Sequence, residues 1–255
     1  MEGRRTGVGI TAEGDMLAAL GLTYGSENAI DFSEEIHKTI ALEAYRSSVE
    51  LAKERGAFEI YEAEKEKNNP LINRIKHEDE QLYQDMTQHG RRNISLLTIA
   101  PTGTTSLMTQ TTSGIEPVFR PVYKRRRKVN PSDTRSNVKY IDDVGDSWEE
   151  YNVFHHKFID WLETQGYDPA EVKQYDDDQL EALVAQSPYY KATSSDVDWV
   201  SKVKMQGRVQ QWVDHSISVT INLPENTPED MVGKLYITGW ESGCKGITVY
   251  REGSR

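Results

Sequence analysis

Asn93-Ile94-Ser95-Leu96-Leu97-Thr98-Ile99-Ala100-Pro101-Thr102-Gly103-Thr104-Thr105-Ser106-Leu107-Met108-Thr109-Gln110 passes from an apolar, β-branched run into Pro, Gly and a cluster of hydroxyl side chains. The run over Asn93 to Ile99 has the composition of a buried strand. The residues after it read as a tight turn leading into a helix start. Such a turn suits an anion, because the first N–H groups of a helix lack internal partners. Gly103 has no Cβ, so an anion can approach the backbone there. Thr102, Thr104, Thr105 and Ser106 add hydroxyl donors. These five residues are the candidate anion-binding set. The segment has neither the Lys of a Walker loop nor dinucleotide-fingerprint spacing. On local chemistry alone, a plain strand-to-helix turn capped by Thr and Ser explains the same letters.

Working outward, Ser216 to Leu223 alternates Ile217, Val219, Ile221 and Leu223 with polar residues, the period of a strand. A helix follows, with Thr227 expected at its N-cap, Pro228 at its first position and Asp230 completing a capping box. Met231, Val232, Leu235, Tyr236 and Trp240 are its expected apolar face, and Gly243 its stop. Gly246 to Tyr250 reads as a short strand. Strand, helix and strand make a βαβ unit, which implies parallel pairing. Upstream, helices are expected over Asp15–Leu20, Ser33–Arg55 (ending at Gly56) and Glu78–Thr87. Glu62 to Asn69 reads as a solvated charge run.

Between these parts, Val118 to Val129 reads as extended and Asn130 to Gly145 as a surface loop. Trp148, Tyr151, Phe154, Phe158 and Trp161 recur at helical spacing, which reads as core rather than a cofactor box. Asp168 to Ser187 is expected to be helical. Ser195-Asp196-Val197-Asp198 has the form of a capping box opening another helix. The span 130–214 is therefore expected to be a helical insertion in one domain over 1–255.

The chain has 255 residues, 36% of them hydrophobic, enough for a sizeable core. Its net charge of -11 argues against non-specific nucleic-acid binding. No apolar run approaches a membrane span and no signal peptide is evident, so a cytoplasmic protein is expected. Lys124 to Lys128 is a basic run, read as a rim or subunit-contact element that could also raise the local potential for phosphates. His155-His156 is adjacent rather than spaced for one helix face, and no metal site is expected. Glu116 is read as orienting a turn, not as catalytic. Cys244 is the sole cysteine, which excludes an internal dithiol pair.

Several blocks together resemble the catalytic chain of ribonucleotide reductases. They are Arg4-Arg5-Thr6-Gly7-Val8-Gly9 with Asp15-Met16-Leu17-Ala18, Asn93 to Leu97, Pro101 to Ser106 and Ser113-Gly114-Ile115-Glu116-Pro117. His215 to Thr220 and Gly243-Cys244-Lys245-Gly246-Ile247-Thr248-Val249-Tyr250-Arg251 complete the series in the family's order. The resemblance implies an α/β fold, the second half of a ten-stranded α/β barrel. It implies that Thr102, Gly103, Thr104, Thr105 and Ser106 bind the substrate phosphates.

The resemblance also implies reduction of ribonucleotides, expected to be diphosphates, by thiyl-radical chemistry. The family's radical cysteine, redox cysteines and catalytic carboxylate lie upstream of the matched region, so no catalytic residue is assigned here. A partner or missing N-terminal half carrying the finger loop is expected, with thioredoxin or a similar reductant, and the isolated chain is expected to be inactive. The last block has no adjacent tyrosine pair and looks more like the adenosylcobalamin-dependent class, which makes adenosylcobalamin the expected cofactor. The chain is expected to be a split subunit or a truncated member. The competing readings are half of a diiron-dependent enzyme, a non-catalytic assembly or regulatory fragment, or a phosphate-binding protein that acts alone.

Overall fold

A computed structural model describes residues 2–130 and 138–254. Its centre is a set of parallel extended segments. Val8 pairs with Leu97, and Ile99 with Ile217, as parallel bridges. The stretch through Ile217 continues into β4 (Thr220–Leu223), which pairs in parallel with β5 (Thr248–Arg251), Thr220 opposite Thr248. The spatial order therefore follows the chain order. Asn93 to Ile99 is extended, as expected, but it is a strand only at its two bridges.

Helices connect these segments. Before Asn93 come α1 (Glu13–Ala19), α2 (Glu27–Arg55), α3 (Ala63–Glu66), α4 (Pro70–Glu78) and α5 (Glu80–His89). Helix α2 starts six residues before the expected Ser33, because Ser26 accepts from the Ala29 N–H and caps it. Helix α6 (Gly103–Thr109) follows the central segment. The expected helix near Ser195 is α10 (Trp199–Gln210), with Asp198 rather than Ser195 as its cap, at 2.7 Å from the Ser201 N–H.

The span 130–214 is not all helix. Strands β1 (Val122–Lys128), β2 (Tyr140–Ile141) and β3 (Ser147–Phe154) form an antiparallel sheet in the order β1-β3-β2. Helices α7 (His156–Thr164), α8 (Pro169–Val172) and α9 (Asp177–Val184) follow. The expected 130–145 loop contains β2, and its residues 131–137 lie outside the described residues. The aromatic spacing misleads here. Trp148, Tyr151 and Phe154 belong to β3, and only Phe158 and Trp161 to α7. The strand runs into the helix at His155, and the two periods join into one apparent helical repeat. Phe154 and Phe158 are core, stacked at 6.1 Å with Leu162, Val172, Leu180 and Leu183 in one cluster.

The main core joins Tyr45 and Val49 of α2, Ile72, Ile75, Leu82 and Met86 of α4 and α5, and Leu96, Leu97, Ile99, Val209 and Ile217. Two charged groups, buried Arg91 and half-buried Asp214, fix the central segment in it. The Arg91 guanidinium faces the rings of Tyr45, Phe58 and Tyr61. It donates to the carbonyls of Asn93 (3.1 Å) and Ile94 (3.0 Å) and to Glu66 Oε1 at 2.6 Å. The Glu62–Asn69 charge run is thus not simply solvated, since Glu66 neutralises a buried cation. Asp214 Oδ2 accepts from the Leu96 and Leu97 N–H groups at 2.8 Å each, and Oδ1 from the Tyr45 hydroxyl at 2.6 Å. Burial and that carboxylate push the Tyr45 hydroxyl well above its ordinary pKa.

The last crossover helix is α11 (Glu229–Glu241). Thr227 does not cap it. Pro228 occupies the cap position, which has no side-chain cap bond, and the Thr227 hydroxyl is buried without a partner. Of the expected apolar face, Leu235 is fully buried with Ile221, Leu223 and Val203, whereas Tyr236 and Trp240 are exposed at 49% and 82%. Among the described residues no helix is long and apolar enough to cross a membrane.

Candidate functional site

The turn after Ile99 is built on strained backbone. Thr102 has φ of 52° and sits in the left-handed region, as do Ala12 at 70° and Gln110 at 59°. Side chains with a Cβ rarely adopt this conformation, and surrounding structure must hold them there. Here the holder is the strap Thr111–Gly114, which returns beside the turn. The Gly114 N–H donates to Thr102 Oγ1 at 2.7 Å, and Thr102 Oγ1 lies 3.0 Å from Thr11 Oγ1. Ser106 Oγ donates to the Gly103 carbonyl at 2.9 Å and meets Ser113 Oγ at 2.7 Å.

These bonds divide the five expected residues into two groups. The hydroxyls of Thr102 and Ser106 are engaged inside the turn, and Ser106 is buried. Gly103, Thr104 and Thr105 are exposed. Their N–H groups, and the hydroxyls of Thr104 and Thr105, have no hydrogen-bond partner among the described residues. A Cβ built on Gly103 would meet nothing within 4 Å. The turn thus presents a set of unpaired donors and no acidic side chain of its own. That suits a multiply charged oxyanion, whose oxygens only accept. Helix α6 has seven residues, so the local donors matter more than any long-helix dipole.

Below the strap lies a carboxylate that local sequence reading does not connect to the turn. Asp15 Oδ2 accepts from the Thr112 N–H at 2.7 Å. Its Oδ1 is 2.7 Å from His155 Nε2 and 3.0 Å from the Tyr189 hydroxyl. The signal in the sequence is an acidic residue directly before the apolar run Met16-Leu17-Ala18 on a short helix, where only a partnered carboxylate can be buried. Burial and the Asp15 charge push the Tyr189 hydroxyl well above its ordinary value. His155 serves this carboxylate, while His156 opens α7.

Glu116, expected to orient the turn beside it, bonds through its carboxylate to β4 and α10 instead. Its Oε1 accepts from the Thr220 N–H at 2.8 Å, and its Oε2 from buried Lys202 Nζ at 2.6 Å. The basic run Lys124 to Lys128 is β1, and most of it is neutralised. Lys124 pairs with Asp177 (2.6 Å), Arg126 with Glu150 (2.8 Å), Arg127 with Glu149 (2.7 Å) and Lys128 with Asp146 (2.5 Å). Little positive potential is left there for a phosphate. Cys244 is half-buried against the Val203 carbonyl, and burial pushes its thiol up to about 11. A reactive thiol needs the opposite shift.

Comparison with known proteins matches residues 1–250 to the family model described as "Ribonucleotide reductase, barrel domain". A vitamin B12-dependent ribonucleoside-diphosphate reductase of Mycobacterium tuberculosis (strain CDC 1551 / Oshkosh) is 30% identical over 254 residues, covering 99% of this chain and 32% of that protein. One of the same name from Thermoplasma acidophilum is 29% identical over 255 residues, covering 99% of this chain and 29% of that protein. The chain therefore spans about a third of the length of these relatives. The Actinobacillus ureae class Id ribonucleotide reductase alpha subunit superposes with a TM-score of 0.64 at 19% identity. That match covers 99% of this chain and 40% of the other, a likeness of fold.

Proposed function

The chain belongs to the ribonucleotide reductase barrel-domain family, and from that premise we propose that it completes a reductase barrel and holds the substrate's phosphates there. The substrate class is ribonucleoside diphosphates, reduced to 2′-deoxyribonucleotides. The observation that carries this reading is the donor set of the turn. The N–H groups of Gly103, Thr104 and Thr105 and two Thr hydroxyls stand unpaired beside the open space at Gly103. Thr102 and Ser106 belong to the site as the residues that shape it.

The radical and the reducing thiols come from other residues. Cys244 is the one cysteine in the sequence, and its raised pKa disfavours the thiolate. A second polypeptide segment, the N-terminal half with the finger loop, supplies them, and a thioredoxin-like protein regenerates them. The sheet supports such a partner, because the N–H groups of Gly7 and Gly9 are unpaired on the outer edge of the Val8 segment.

Adenosylcobalamin is the proposed cofactor of the assembled enzyme, by the names of the relatives. A cavity of about 830 Å³ is lined by charged residues, among them Lys124, Glu149 and Glu150, and by Tyr151, Phe154 and Ile159, and no cofactor contact is assigned to it. The chain's own contribution is therefore binding and orientation, with no step assigned to the cofactor.

The test is complementation. The chain mixed with a cognate N-terminal half and adenosylcobalamin should reduce ribonucleoside diphosphates, while the chain alone should not. Replacing both Thr104 and Thr105 by Val should raise the KM about tenfold or more, the effect of losing hydrogen bonds to a charged group. An unchanged KM in an active mixture would remove the phosphate reading.

A further inference from the structure

The turn's shape depends on contacts that cross most of the chain. Thr102 is left-handed because its hydroxyl is held by the Gly114 N–H and by Thr11. Thr11 Oγ1 donates to the Thr112 carbonyl at 3.1 Å, and the Ala12 N–H reaches the same carbonyl at 3.0 Å. Thr112 is held at its other end by Asp15, whose Oδ2 takes the Thr112 N–H at 2.7 Å and whose own N–H donates to Thr112 Oγ1 at 3.2 Å. The helix carrying Asp15 presses close to this strap. A Cβ on Gly14 would stand 2.5 Å from the Glu116 carbonyl and 3.2 Å from Thr112 Oγ1. Two more donors, His155 Nε2 and the Tyr189 hydroxyl, converge on Asp15 Oδ1. A carboxylate only accepts, so His155 carries its proton on Nε2.

We propose that Asp15 is a positioning residue for the phosphate turn: its buried carboxylate fixes the strap at Thr112, and the strap fixes Thr102 and with it the donors of Gly103 to Thr105. This rests on the phosphate reading of the turn. The carboxylate does not touch the substrate. It sets the angle at which the unpaired N–H groups face it. His155 and Tyr189 hold the carboxylate from the far side, so that its two oxygens divide the work between the strap and the α7–α9 unit. An amide at this position keeps the shape but has one acceptor oxygen for three converging donors, so either the Thr112 N–H or the His155 and Tyr189 pair must face the amide NH₂.

The experiment uses the full chain labelled with ¹⁵N, read by amide hydrogen exchange and by titration with cytidine diphosphate and inorganic pyrophosphate. In the unmodified chain, both probes should shift the amide signals of Gly103, Thr104 and Thr105. Asp15→Asn should speed exchange at Thr112 and Gly114 and weaken both probes about tenfold, the effect of one hydrogen bond to a charged group. Thr11→Val, which removes the Thr11 bridge between the Thr112 carbonyl and Thr102 without entering the buried cluster, should weaken the probes in the same direction. Tyr189→Phe removes one of the two bonds to Asp15 Oδ1 and leaves the strap bond in place; it should lower the Tm and weaken the probes clearly less than Asp15→Asn does.

Unchanged exchange and affinity in a folded Asp15→Asn chain would overturn the proposal, and so would a Tyr189→Phe chain as weak as Asp15→Asn. If Asp15→Asn does not fold, Thr11→Val decides: unchanged affinity overturns the proposal. If the unmodified chain ignores both probes, the phosphate reading fails by itself. The anchoring is then judged on exchange alone, with faster exchange in Asp15→Asn or Thr11→Val supporting it and no change in either overturning it.

Discussion

Gly9 shows how little room the central segments leave at single residues. A Cβ there would lie 2.1 Å from the Thr98 carbonyl oxygen, a backbone atom that cannot swing away. Gly9→Ala should separate the Val8 and Leu97 segments and cost about 1–3 kcal/mol or more, as overpacking does, read as a fall in the urea midpoint. The Lys202–Glu116 pair makes a different kind of demand. Lys202 is 2% exposed, and its ammonium also donates to the Thr220 carbonyl at 2.7 Å. Glu116→Ala would leave that ammonium buried with half its partners. It should cost about 3–5 kcal/mol, and the same urea titration measures it. Cys244 gives a pH test. Its thiol is raised from 9.0 to about 11 by burial, so the unfolded chain loses the proton first as pH rises. The thiol's contribution to stability is complete below about pH 9 and is lost between there and about pH 11. Alkylation of the folded chain by iodoacetamide at pH 8 should accordingly be much slower than in urea, as mass spectrometry of the adduct would show. Equal rates would contradict the burial.

Elements differ in how openly the residues announce them, and the difference is one of range. The βαβ ending is legible because Ile217, Val219, Ile221 and Leu223 alternate locally and Gly243 stops the helix between the strands. The turn after Ile99 is legible for the same reason, since its Gly and hydroxyls are consecutive. Asp15 is not, because its bond to Thr112 spans 97 positions and its bond to Tyr189 spans 174. The β1-β3 ribbon is hidden by another effect. Its register sets Arg126 opposite Glu150 and Arg127 opposite Glu149, so a run that reads as free positive charge is half of a cross-strand ladder. Helix caps show both outcomes. Ser26 extends α2 by a turn and more, while Thr227, with the better local signature, caps nothing. Ser26→Ala should destabilise the chain by about 1 kcal/mol, a shift that thermal denaturation resolves. Thr227→Val should cost less than that or stabilise, because it removes a buried hydroxyl with no partner.

At the scale of the whole molecule, the parallel order of the central segments leaves an edge on each side. One is the Val8 segment, with the N–H groups of Gly7 and Gly9 unpaired, and the other is β5. Unpaired strand edges accept any strand that can match them, including those of an identical chain. The net charge of -11 opposes such contacts at low salt, and salt screens that repulsion within about 10 Å at 0.1 M. Light scattering should therefore show self-association that grows with ionic strength. Two open edges make solubility a matter of concentration as well as architecture. Each chain offers the other a place to add a strand, so dilution as well as low salt becomes a condition of keeping it in solution.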